Sequence, residues 1–154
     1  MGSMNHSEAA LACFNNGFNC AQAVLTSCCE TVGLDRETAL KVAGAFGGGM
    51  GRLGEVCGAV SGAFMLIGLK YGKYQIGDNQ AREKTDAMAQ RFATEFQALH
   101  GSLRCADLLG EAPQTPEARQ RVAGNMKKVC PELIRDAVTI IEAILNETEP
   151  TPGW

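Results

Sequence analysis

The stretch from Val56 to Leu69 carries no charged residue over about 14 positions. Plotted at about 100° per residue, its apolar and small side chains fall on every side, so a helix from about Glu55 to Tyr71 has no face suited to water. Such a helix must be wrapped by other elements. It is too short to cross a bilayer, which takes roughly 20 apolar residues. Its predicted place is therefore the centre of a folded core, and membrane insertion is not expected. A chain of 154 residues is long enough to provide that core as one domain. Aromatic residues make up 6% of it, so aliphatic and small side chains must do most of the filling.

The rest of the chain reads as helices that pack around this segment. Ser7 is a candidate cap for a short first helix to about Phe14, which Asn15-Asn16-Gly17 breaks. Asn19 caps a second helix whose apolar stripe is Ala21, Val24, Leu25, Cys28 and Val32, with Gly33 at its end. Asp35 caps a third, with Leu40, Ala43 and Phe46 inward, and Gly47 to Gly54 form a loop. After the central helix, Asp78 or Asn79 starts a long helix with Met88, Phe92, Phe96 and Leu99 in a stripe, ended by Gly101. A short helical turn near Arg104 to Leu109 follows. Thr115-Pro116-Glu117 is a strong helix start, combining a cap, a proline at the first position and an acid in the first turn. That helix is predicted to kink or end at Pro131, before a last one carrying Ile134, Ala137, Val138, Ile141 and Ile144.

No strand alternation, repeat or interdomain linker is visible. The expected fold is an all-α, single-domain bundle of about five to seven helices over residues 4–149, with a buried central helix and broken helices. Met1-Gly2-Ser3 ahead of Met4 reads as an expression scar, and residues 150–154 as a frayed tail.

A net charge of -3 and a pI near 5.4 give no basic footprint for nucleic acid. No charged segment followed by an apolar one opens the chain, so no secretory signal is expected. In that setting the glycosylation-type triplet Asn146-Glu147-Thr148 carries little meaning. Seven cysteines is an odd count for a disulfide scaffold. Reduced thiols, metal ligands or catalytic thiols in the cytoplasm fit better.

Four of these cysteines, Cys20, Cys57, Cys105 and Cys130, fall one each in four separate segments. Thiolates from several packed helices can converge on one metal, cluster or redox centre. Cys28 and Cys29 are adjacent, too close for an ordinary disulfide. They and Cys13 are expected to be packing residues. Gly49-Met50-Gly51-Arg52-Leu53-Gly54 spells a dinucleotide-type glycine motif. It lacks the preceding strand that motif requires, so no nucleotide is expected. Its backbone N–H groups are free to approach a cluster or anion. Gly54, Gly58 and Gly62 recur every four residues and should share a face where another backbone comes close. Ser61, one turn after Cys57, is a candidate donor to its sulfur, with its own helix carbonyl as the alternative. His6 and His100 form no metal pattern. Glu83, Asp86 and Glu95 are expected on a solvated face.

The contexts Gly17-Phe18-Asn19-Cys20-Ala21-Gln22-Ala23-Val24, Phe46-Gly47-Gly48-Gly49-Met50-Gly51 and Cys57-Gly58-Ala59-Val60-Ser61-Gly62, followed by Cys105 and Cys130, resemble the redox-active family named C_GCAxxG_C_C. The likeness runs from about Ser7 to Ile144. In this chain Val56 precedes the central cysteine, and Gly58 stands between it and Ala59. The resemblance implies a small bacterial helical protein whose key residues are Cys20, Cys57, Cys105 and Cys130. A relationship to the C-terminal region of certain split-Soret cytochromes implies an iron–sulfur site. With no CxxCH motif, a c-type haem is not expected.

Three functions follow as expectations. The first is a metal or iron–sulfur centre held by Cys20, Cys57, Cys105 and Cys130, with Gly58, Ser61 and Gly62 close to the cofactor, serving electron transfer or redox sensing. Zinc is disfavoured, because structural zinc sites usually use close cysteine pairs, although another thiolate-bound metal stays open. The second is a metal-free thiol–disulfide oxidoreductase using the same cysteines, with Cys57 as candidate nucleophile. The third is a non-catalytic helical interaction module. An enzyme activity is left open, as is self-association into a homodimer. A redox partner protein is expected under the first two readings.

Overall fold

The computed structural model describes residues 4–147. The positions read as an expression scar and a frayed tail lie outside them, as does Thr148 of the glycosylation-type triplet. Seven α-helices follow in order: α1 (His6–Asn15), α2 (Cys20–Cys28), α3 (Arg36–Val42), α4 (Gly58–Tyr71), α5 (Asn79–His100), α6 (Cys105–Leu109) and α7 (Pro116–Leu145). A 3₁₀ turn, Cys29–Val32, extends α2. No strand is present among the described residues.

Capping explains most of the boundaries. Asn19 and Gln22 form a reciprocal box at the start of α2, each side chain bonding the other's backbone N–H. Asp35, Asp78 and Thr115 accept from the third residue of α3, α5 and α7. At α1 the cap is Asn5, not Ser7. Asn5 and Glu8 make the same two-way box, which satisfies two terminal N–H groups where Ser7 would satisfy one.

The central helix is α4. It packs against α2, α5 and α7, and Ala59, Val60, Ala63, Leu66 and Ile67 are fully buried on it. It begins three residues later than the apolar pattern suggests. Val56 is diverted into an isolated antiparallel bridge with Arg104, and Cys57 becomes the N-cap. Gly54 therefore lies outside the helix, and only Gly58 and Gly62 share its face. A Cβ at Gly62 would stand 2.8 Å from the Ala21 carbonyl oxygen. That closeness lets α2 and α4 pack backbone to backbone.

Phe92 and Phe96 anchor α5, with ring centroids 5.8 Å apart. Leu99 is 61% exposed and does not complete their stripe, because His100 takes the inward position, its ring centroid 4.8 Å from that of Phe96. Helix α7 runs unbroken through Pro131. Proline removes one helical hydrogen bond, but residues on both sides, from Ala118 and Val122 to Leu133, Ile134 and Ala137, are buried and keep both halves helical. The stop allowed for there does not occur, and one helix continues to Leu145.

Candidate thiol centre

Three of the four separated cysteines sit at helix starts. Cys20 is the first residue of α2, Cys57 the N-cap of α4 and Cys105 the first residue of α6. Cys130 lies within α7. The bridge between Val56 and Arg104 aligns the second and third of them. Cys57 N–H donates to the Leu103 carbonyl (2.7 Å), and Cys105 N–H donates to the Glu55 carbonyl (2.7 Å). These bonds set the entries of α4 and α6 side by side.

The glycine loop closes the other side. Gly48, Gly49, Met50, Gly51 and Arg52 all have φ between 59° and 72°, a run of five left-handed residues. Bonds from Gly51 N–H to the Ala45 carbonyl (2.7 Å) and from Glu55 N–H to the Gly49 carbonyl (2.8 Å) hold the turn. Met50 and Arg52 adopt it at a cost of about 1–2 kcal/mol each. The turn places Gly48 in the same cavity wall as Cys20, where its backbone N–H favours the thiolate. On the opposite side, a Cβ at Gly58 would lie 2.9 Å from Cys20 Sγ. Only glycine leaves that sulfur its place.

All four cysteines line one cavity of about 580 Å³. Cys57, Cys105 and Cys130 are buried and Cys20 is half-buried. Apolar side chains such as Phe14, Leu109, Met126 and Leu133 make up much of the wall. Among the described residues lining it, Arg52 and Arg119 are the charged ones, and none is acidic.

The thiols are not equivalent. The neighbouring Cys57 thiol, helped by the N–H groups of Gly48, Cys20 and Gly58, outweighs burial and lowers the Cys20 thiol from 9.0 to about 7. Cys57 is raised well above 9.0, first by the neighbouring Cys20 and then by burial. Burial, followed by the charge on Cys20, pushes Cys105 up to about 11. Burial, with Cys20 and then Cys105 nearby, pushes Cys130 up to about 12. The thiolate form is thus favoured at Cys20 and disfavoured at the other three.

Among the described residues, no three His, Cys, Asp or Glu side chains are gathered tightly enough to hold a single ion. The four thiols surround a space rather than a point. Their chemistry suits an iron–sulfur cluster, whose thiolate ligands stand around a core of several atoms. They are less suited to a lone tetrahedral ion.

The other candidates fall elsewhere. Ser61 donates to the Cys57 carbonyl (3.2 Å), which is the helix-carbonyl alternative rather than a bond to sulfur. Gly58 touches Cys20, whereas Gly62 packs against α2. Cys13, Cys28 and Cys29 are buried in the main core. Cys13 accepts from Thr26 Oγ1 (3.6 Å), and Cys28 Sγ lies 3.4 Å from His6 Nδ1. His100 pairs with Asp136 across α5 and α7 (2.9 Å). Arg52 and Arg119 are the cavity residues that sequence reasoning passed over. The one local signal was a basic side chain inside a glycine run, at Arg52.

The family model described as "Putative redox-active protein (C_GCAxxG_C_C)" matches residues 18–144. No curated protein and no solved structure matches the chain.

Proposed function

The chain belongs to the C_GCAxxG_C_C family, described as redox-active, and from that premise we propose that Cys20 and Cys57 form a dithiol that exchanges electrons with a disulfide substrate. The observation that carries this reading is that Cys20 and Cys57, set at the starts of α2 and α4, line one cavity large enough for a small molecule, where the Cys57 thiol lowers its neighbour's pKa. The thiolate, not the thiol, attacks disulfides, and an attacking thiol with a pKa near ambient pH is close to optimal. Cys20 is therefore the nucleophile, where the sequence favoured Cys57.

Each step balances. The Cys20 thiolate attacks one sulfur of the substrate, breaking its S–S bond, forming a mixed disulfide and releasing a thiolate. Cys57 gives up its proton and attacks Cys20 Sγ. A Cys20–Cys57 disulfide forms and the second substrate sulfur leaves. Two electrons have passed to the substrate, and the Cys57 proton ends on one of the two product sulfurs.

The test is oxidation of the reduced protein with 2-hydroxyethyl disulfide, followed by peptide mapping. A Cys20–Cys57 disulfide, lost in Cys20→Ser, is expected. Oxidation that proceeds unchanged in Cys20→Ser would overturn the assignment.

A second reading rests on a different observation. Cys105 and Cys130 line the same cavity, yet exchange does not use them. Cys20, Cys57, Cys105 and Cys130 would together hold an iron–sulfur cluster, which supplies one-electron transfer when bound. The loop N–H groups and the absence of acidic lining residues suit the negative charge of such a group. Anaerobic reconstitution decides between the readings. Brown protein with stoichiometric iron and sulfide, lost in Cys130→Ser, favours the cluster, and colourless protein favours the dithiol.

A further inference from the structure

We propose that the cavity beside Cys20 and Cys57 receives small disulfides that carry a carboxylate on an apolar body, with Arg52 and Arg119 binding the carboxylate. This rests on the dithiol reading and names its substrate class.

Size comes first. About 580 Å³ falls within the roughly 300–1,000 Å³ of small-molecule sites, more than attack by a thiol alone requires. Composition comes second. Phe14, Leu109, Met126 and Leu133 offer an apolar wall, which favours a hydrocarbon body over a strongly hydrated one.

Charge is the most discriminating feature. Arg121, on the first turns of α7, is neutralised by a two-pronged pair with Glu111 (both contacts 2.8 Å). Arg119, two residues earlier on the same helix, meets only neutral carbonyls, those of Pro113 (3.2 Å) and Gln114 (3.4 Å). The Arg52 guanidinium has no hydrogen-bond or ion-pair partner among the described residues. Both of these arginines line the cavity, and no acidic residue there cancels them. A guanidinium matches a carboxylate in plane and spacing, and such charge-assisted bonds are among the stronger ones. Arg52 is also held in a left-handed backbone conformation (φ 64°) that an ordinary side chain avoids, and the glycine turn keeps it at the cavity edge.

A cyclic disulfide of this class reacts with balanced atoms. The Cys20 thiolate opens the ring and leaves the second ring sulfur as a thiolate. Cys57 then closes the protein disulfide. The substrate departs as a dithiol after taking up the Cys57 proton and one from water.

Lipoate and lipoamide are matched probes, sharing ring and chain but differing in carboxylate against neutral amide. Initial rates are measured with the reduced protein and each probe, and with the oxidised protein and each reduced probe, so that the potential cannot hide binding. Each rate is normalised to the probe's reaction with a free small thiol. Lipoate should half-saturate at about tenfold lower concentration than lipoamide, with similar maximal rates. Arg52→Gln and Arg119→Gln should each raise the lipoate value and leave the lipoamide value in place, and the double variant should make the two equal. The Arg52 side chain has no hydrogen bond to lose, so its variant remains informative even if Arg119→Gln disturbs the loop at Pro113. Equal half-saturation in the unaltered protein, or a preference that survives the double variant, would overturn the inference. Reaction with 2-hydroxyethyl disulfide but with neither lipoyl probe would overturn it while sparing the dithiol reading. Failure of all three to form the Cys20–Cys57 disulfide would remove both.

Discussion

The Cys57 thiol neighbours that of Cys20 and favours its thiolate, joining the N-cap of one helix to the first residue of another. One contact makes the two thiols opposite in character, since a donated proton stabilises the acceptor's charge and holds back the donor's own ionisation.

Removing that donor should move the acceptor. Alkylation of Cys20 by iodoacetamide should rise with pH through a midpoint of about 7, because the thiolate is the reactive form. In Cys57→Ala the largest lowering influence is gone while burial, which raises, remains. The midpoint should then shift upward. Peptide-resolved alkylation rates between pH 6 and pH 10 check this, and an unmoved midpoint would mean that the backbone N–H groups alone hold the thiolate.

Three of the four cavity thiols, Cys20, Cys105 and Cys130, should react in a fixed order. In metal-free reduced protein at pH 8, Cys20 should be modified first, with Cys105 and Cys130 far behind, as follows from values of about 7, about 11 and about 12. Cys130 should be slower than Cys105. Denaturant should erase the order, because burial is the main cause of both upward shifts. Comparable rates for Cys20 and Cys130 in the folded protein would contradict the arrangement.

Gly58→Ala should injure both stability and reactivity. Its Cβ would stand 2.8 Å from the Ala21 nitrogen and 2.9 Å from Cys20 Sγ, so α2 or α4 must shift. Overpacking of this kind costs about 1–3 kcal/mol. Gly51→Ala is the matched control. It has open space around it at φ 59°, so only backbone strain of about 1–2 kcal/mol is expected. Urea unfolding gives the stabilities, and Cys20 alkylation should change in Gly58→Ala alone.

Ser61→Ala should do little. The hydroxyl donates to the Cys57 carbonyl, and a bond of that sort contributes about 0.5–1.5 kcal/mol. The Cys20 alkylation midpoint should stay where it is. A shifted midpoint would show that the hydroxyl reaches a sulfur in solution.

The parts of this protein that were legible in its sequence are those whose causes are local. Asn19, Asp35, Asp78 and Thr115 announce helix starts because each cap acts on an N–H three residues ahead. The uncharged run through α4 announces its burial because no face of it suits water. Two helix starts differed from the local reading, one through a competing neighbouring cap and one through a distant segment. Asn5 won the first cap from Ser7 because Glu8 completes its box, and the Val56–Arg104 bridge took Val56 away from α4.

Across longer distances the sequence could name the participants but not their arrangement. It set apart Cys20, Cys57, Cys105 and Cys130, one to each segment, and left Cys13, Cys28 and Cys29 to the core, where they are found. It could not rank the four thiols, because the proton between Cys20 and Cys57 depends on how α2 meets α4. Nor could it show that Arg52 and Arg119 share a cavity, or that α7 continues through Pro131. Helix identity is decided within about four residues by capping and periodicity. The chemistry of a thiol is decided by burial, by nearby charge and by whichever N–H or S–H points at it, and packing between distant segments supplies all three.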